Sequence, residues 1–177
     1  MRSAHVMIAI LLAACASGGT GTPSDHETMR VSGSAMRMRG GDVAKVATVD
    51  APLSRVWMAL PIAYDSLGID LTDVDNATHS LGTTGMKAYK ELRKVPLSTY
   101  LECGSAQAFQ SADTYAVQLA VRTQADTASA GGTRLSTLVE AVARPLAFSG
   151  EYVRCSTKGE LEGRIAAIVR AHLGASR

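Results

Sequence analysis

The side chains able to do chemistry in this chain of 177 residues are three cysteines, Cys15, Cys103 and Cys155, four histidines, His5, His26, His79 and His172, and the carboxylates Asp70, Asp73 and Asp75. A hydrolase asks for a nucleophile held beside a base, and no Gly-x-Ser-x-Gly, His-Glu-x-x-His or Walker loop occurs. The three aspartates imitate the start of a calcium loop, but the turn glycine and the distant bidentate glutamate are not at the required spacing. They read as a solvated strand end. The histidines stand apart from one another and from any Cys-x-x-Cys pair, so none has the partner that a ligand or a general base needs. The expectation is therefore no catalytic residue, no metal and no cofactor; an enzyme would require carboxylates brought together only by folding.

Charge gives the next candidate. Lys87, Lys90, Arg93 and Lys94 crowd together, interrupted by Glu91, and read as a short helix stopped by Pro96. Such a face is either simply solvated or set against anionic lipid headgroups, lipopolysaccharide or an acidic protein surface. Across the whole chain 18 bases face 16 acids, a formal +2, which lacks the basic excess of a nucleic-acid binder. Aromatic residues make up 5%, too few to furnish base-stacking platforms.

The chain opens Met-Arg-Ser-Ala-His and runs without charge from Val6 to Ala14 before reaching Cys15. At about 1.5 Å per residue this stretch falls far short of a hydrocarbon core about 30 Å thick, so it reads as a cleavable export signal. Leu12-Ala13-Ala14-Cys15 resembles the lipobox of bacterial lipoproteins. That resemblance implies removal of residues 1–14 and a diacylglyceryl thioether on Cys15, the only covalent group expected. Residues 15–28, rich in Gly, Ser, Thr and Pro, are expected to tether one globular domain spanning 29–177. Because Ala16 rather than Asp follows the cysteine, the resemblance implies placement at the periplasmic side of the outer membrane, ahead of the inner membrane or the cell surface.

With Cys15 acylated, Cys103 and Cys155 remain as an even pair in an oxidising compartment, and a disulfide is the natural inference. A metal pair or a reactive thiol are the alternatives.

The elements that must position these residues follow from periodicity. Met29–Met38 and Val43–Val49 read as a hairpin around Arg39-Gly40-Gly41-Asp42. Leu53, Val56, Trp57, Leu60, Tyr64 and Leu67 recur at helical spacing after Asp50, a candidate N-cap; Pro61 should kink or split this helix, and Gly68 ends it. Trp57 reads as core. Residues 69–75 and 80–86 flank Asn76-Ala77-Thr78-His79 as a second hairpin, whose formal glycosylation triplet reads better as a turn. Tyr115–Arg122 and Leu135–Ala143 alternate apolar and polar residues as two long strands joined by Gln124–Gly132, with Pro145 marking the end. Thr157-Lys158-Gly159-Glu160 reads as a capping box opening a final helix with the stripe Leu161, Ile165, Ile168, Val169, Leu173 and a stop at Gly174.

This order implies a two-layer α+β fold: a mostly antiparallel sheet of five to six strands, with one long helix from the N-terminal half and a C-terminal helix packed on one face. Between residues 43 and 88, Val56-Trp57-Met58-Ala59-Leu60, Leu67-Gly68-Ile69, the acidic hairpin and Leu81-Gly82-Thr83-Thr84 resemble helix-grip domains of the BamC (NlpB) lipoproteins of outer-membrane assembly. Pro61, Cys103 and Cys155 depart from that pattern. The resemblance implies a helix-grip fold and a non-catalytic envelope lipoprotein that binds a protein partner or supports outer-membrane assembly. A ligand-binding module is the alternative: Ala108, Ala112, Ala116, Ala120, Ala141 and Ala143 are small enough to leave a lipid cavity beneath the helix.

Overall fold

The computed structural model describes residues 43–106, 109–146 and 152–175, together with the paired strands Arg30–Val31 and Ser34–Ala35. Residues 1–28, on which the expected export signal, Cys15, the expected tether, His5 and His26 fall, lie outside the described residues, as do Arg39 to Asp42 and Ala108.

In chain order the main elements are β1 (Lys45–Val49), α1 (Leu53–Leu67), β2 (Asp73–Asp75), β3 (Ser80–Tyr89), β4 (Glu91–Leu92), β5 (Val95–Pro96), β6 (Leu101–Glu102), α2 (Ser111–Thr114), β7 (Ala116–Thr127), β8 (Thr133–Arg144), β9 (Val153–Thr157) and α3 (Glu160–Ala175). The strands form one sheet in the order β5-β4-β3-β7-β8-β9-β6, with β2 on β3 and β1 on β8. Every pairing is antiparallel. The α+β class therefore holds, but the sheet has nine strands rather than five or six, the extra ones being two-residue ladders too short to carry a period-two signal.

The alternation in β7 and β8 decides which face is covered. Val117, Leu119, Val121, Thr123 and Ala125 point to one side, opposite Ala143, Ala141, Val139, Thr137 and Leu135, and all ten are buried. Against them pack Val56, Leu60, Ala63 and Tyr64 of α1 and Leu161, Ile165 and Val169 of α3. Each large apolar side chain buried there contributes about 1.5–3 kcal/mol. Tyr64 is fully enclosed, and its hydroxyl sits 2.9 Å from Thr123 Oγ1, which in turn is 2.9 Å from Thr137 Oγ1. This three-hydroxyl chain satisfies polar groups the core would otherwise penalise.

The pairing continues to Thr127↔Thr133, so the connection is a short turn over 128–132 rather than a loop from Gln124. Ala125 extends the inward alternation and pulls those residues into the strand. The expected hairpin of Met29–Met38 with Val43–Val49 falls largely on residues outside those described. β1 pairs with β8, where Val49 enters the core beside Thr133.

The helices differ from expectation in four places. Asp50 does not cap α1; Pro52 precedes the first turn, and its carbonyl accepts from the Arg55 and Val56 N–H groups. Pro61 does not split the helix, because it lies on the exposed side and α1 runs unbroken to Leu67. Gly68 does end it, at φ 69°, donating to Asp65 O. At α3, Thr157 belongs to β9 and the helix begins after Gly159, whose φ of 78° turns the chain. Thr157 Oγ1 accepts from Gly159 N–H and donates to Glu162, so Glu162 replaces Glu160 as its acidic partner. Gly174 lies inside the last turn.

Candidate functional site

The second face of the sheet is built from the alternate residues, and among the described residues no helix lies on it. Two rows cross it at one end. Tyr89, Ala116 and Arg144 stand side by side on β3, β7 and β8, and one step along the strands lie Lys87, Gln118, Val142 and, on β9, Arg154. Between Leu119 and Val121 the pairing with β3 slips, so that Thr84 and Gly85 together oppose Ala120. This bulge and the small side chain of Ala120 leave a concavity of about 360 Å³, rimmed by Thr84, Gln118, Glu140, Val142, Tyr152 and Arg154. Tyr152 lies under the Arg144 guanidinium, 5.4 Å from ring centroid to Cζ.

Ion pairs cross the same face. Arg154 lies 3.6 Å from Glu140, Arg134 3.6 Å from Asp126, and Arg122 3.7 Å from Asp73. The first two are exposed enough to contribute little beyond about 1 kcal/mol. Arg122 is different: only 8% of it is exposed, so removing Asp73 would strand a buried cation. Period-two reading placed Arg122 on the polar side of its strand but gave no sign of this burial.

The basic run is not a helix. Ala88 is buried in β3, Leu92 is buried in β4, and the chain turns between Leu92 and Val95 with Arg93 at φ 45° and Lys94 at φ 67°. Both central residues of a two-residue hairpin turn are then left-handed, a conformation that usually selects Asn-Gly. Lys87 leaves from the open face, Lys90 sits at φ 62° just beyond Tyr89, and Lys94 is exposed at the hairpin tip. Arg93 is withdrawn from the group: it donates to Asp65 O at 2.9 Å, lies 3.8 Å from the Asp65 carboxylate, and caps the last turn of α1. The four cations therefore do not make one surface.

The aspartates also part. Asp73 faces Arg122, while Asp75 accepts from the Ala77 and Thr78 N–H groups in the turn, and those hydrogen bonds hold its carboxyl below the usual carboxylate range. Trp57 packs edge-on against His79 and donates to Asn76 Oδ1, so it clamps that turn as well as lining the core. Burial drives the Tyr64 phenol well above its ordinary value. Glu162, 3% exposed, has one oxygen on Thr157 and a second with no hydrogen-bond partner among the described residues.

Cys103 and Cys155 are joined, both buried, immediately beside the β6–β9 pairs Glu102↔Ser156 and Leu101↔Thr157. The bond fixes the long excursion between β3 and β7 to the strand preceding α3. A second cleft, about 460 Å³, lies where the start of α1 meets the end of α3 and contains Arg55 and Arg170; Arg170 is occupied by the Thr48 carbonyl at 2.8 Å. Among the described residues no group of three or more His, Cys, Asp or Glu is placed to hold a metal ion, and no helix is long and apolar enough to cross a membrane. In comparisons with known proteins, no family model and no curated sequence matches the chain.

Proposed function

We propose that this chain is a non-catalytic cell-envelope lipoprotein, anchored through Cys15 to the outer membrane, whose domain binds an envelope protein or supports outer-membrane assembly. The observation that carries the reading is Leu12-Ala13-Ala14-Cys15 at the end of an uncharged run of export-signal length. The Cys103–Cys155 bond supports it, since such bonds persist where exported proteins fold. Two helices on one face of an antiparallel sheet are also the arrangement expected of a helix-grip domain, the finer fold we assign by resemblance.

The alternative of a lipid held beneath the long helix draws no support from the packing there. Leu60, Tyr64, Leu119 and Ile165 fill that space, and Ala112, Ala141 and Ala143 are buried within the same core. Ala116 and Ala120 belong to the open face instead. Fractionation after a high-salt wash, which strips electrostatic association, tests the proposal: wild-type protein is expected in the membrane fraction and the Cys15→Ala variant in the soluble fraction. Equal membrane retention of the two would reject it.

A further inference from the structure

We propose that the end of the open sheet face marked by Tyr89, Arg144 and Tyr152 docks on an anionic lipid surface, orienting the domain against the membrane that holds its anchor. The proposal deepens the lipoprotein reading and rests on it.

Three independent observations converge on that end. The first is exposed apolar surface: Tyr89 is 51% exposed, Tyr152 55% and Leu146, just past β8, 62%. Tyrosine suits a bilayer interface because its ring enters the apolar boundary while its hydroxyl stays wet. The second is charge. Lys87 projects from the same face two residues before Tyr89, Lys90 and Lys94 follow it, and these three lysines make no ion pair among the described residues. Arg144 joins them with its guanidinium over Tyr152, and Glu91 is the exposed acid beside them. The third is the path of the chain. β1 runs antiparallel to β8, from Lys45 opposite Thr137 to Val49 opposite Thr133. Followed backwards from Val49 to Lys45, the backbone runs in the direction of Arg144 and not toward the 128–132 turn. The apolar residues and the lysines lie at the end toward which it runs.

An anionic bilayer is the occupant that uses both features. Headgroup phosphates meet the lysines, each strengthening association about fivefold, while the tyrosines and Leu146 enter the interface. Docking of this kind can be weak in isolation because an anchor keeps the surface close.

The test uses the mature chain, residues 15–177, with Cys15→Ser, which retains every described element but takes no lipid. Co-sedimentation compares vesicles of phosphatidylethanolamine and phosphatidylglycerol, in about a 3:1 ratio, with phosphatidylcholine vesicles. Association with the anionic vesicles is expected to be about 100-fold stronger. The triple variant Lys87→Gln, Lys90→Gln, Lys94→Gln, all exposed positions that leave the core intact, is expected to fall to the phosphatidylcholine level. Tyr152→Ala is expected to weaken binding to the anionic vesicles at any salt concentration. Equal binding to both vesicle types, or a triple variant that binds like the wild type, overturns the proposal, as does photocrosslinking from position 87 in native membranes that yields protein adducts and no lipid adducts. Vesicle preference together with an unacylated Cys15 in the native protein supports the docking face and overturns the anchor reading alone.

Discussion

Replacing both half-cystines, as Cys103→Ala with Cys155→Ala, isolates what the covalent link contributes to this fold. The two residues are 52 positions apart, and the chain-entropy relation for a loop of that size gives about 4 kcal/mol at 25 °C, close to a thousandfold in the unfolding equilibrium. Native contacts around the bond do not depend on it: Lys158 N–H donates to Tyr100 O at 2.8 Å, Lys158 Nζ to Ser98 O at 2.6 Å, and Arg164 to the Tyr100 hydroxyl at 2.8 Å. Leu97, Tyr100 and Leu101 are buried nearby. The double variant should therefore keep its native fold and lose stability globally, because the released freedom belongs to the unfolded chain. Urea unfolding followed by Trp57 fluorescence and far-ultraviolet circular dichroism measures this as a lower midpoint, coincident for both signals. A loss below about 1 kcal/mol would refute the entropic argument. Faster hydrogen exchange confined to residues 101–103, with the global midpoint unchanged, would show that the bond secures only the edge strand.

Other consequences are equally specific. Lys94→Gly relieves a left-handed residue and should stabilise the protein by about 0.5–1 kcal/mol, read as a higher melting temperature; a lower one would mean the lysine side chain supports the hairpin. Gly82→Ala places a methyl group into the Val121 carbonyl and against the Arg122 backbone, so β3 must shift from β7 and stability should fall by about 3 kcal/mol in urea titration. Burial raises the Tyr64 phenol in the folded state, so its contribution is complete below the unfolded value near pH 10 and is lost above it, at about 1.4 kcal/mol per pH unit. Tyr64→Phe should flatten that alkaline decline while costing about 1 kcal/mol at neutral pH, since Thr123 and Thr137 still bond each other.

What the sequence made legible follows physical lines. The inward sets Val117, Leu119, Val121 and Leu135, Thr137, Val139, Ala141, Ala143 made the two central strands legible because that face is buried throughout; the opposite face is mixed, with Gln118 and Arg134 exposed but Arg122, Ser136 and Leu138 buried, and its burial was not legible. The disulfide was legible from the parity of thiols in a chain whose first residues read as an export signal. The 87–94 segment misled because a run of lysines has no period of its own; what made it a strand and a hairpin is the burial of Ala88 and Leu92, set by partners distant in sequence. Thr157 was misassigned for a similar reason, since its hydroxyl serves Glu162 only after β9 has paired. The docking face is still less local. Tyr89, Arg144 and Tyr152 become neighbours through strand register, and the Thr84–Gly85 bulge that hollows the face depends on a slip against β7.

The central claim is a stapled domain anchored through Cys15, and intact mass spectrometry of the protein from its native membrane, with and without reduction, tests it most directly. The account predicts loss of residues 1–14, added mass of a diacylglyceryl group on Cys15, and a gain of about two daltons on reduction as Cys103 and Cys155 take up hydrogen. A mature chain with a bare Cys15, or one that retains the first fourteen residues, would contradict it.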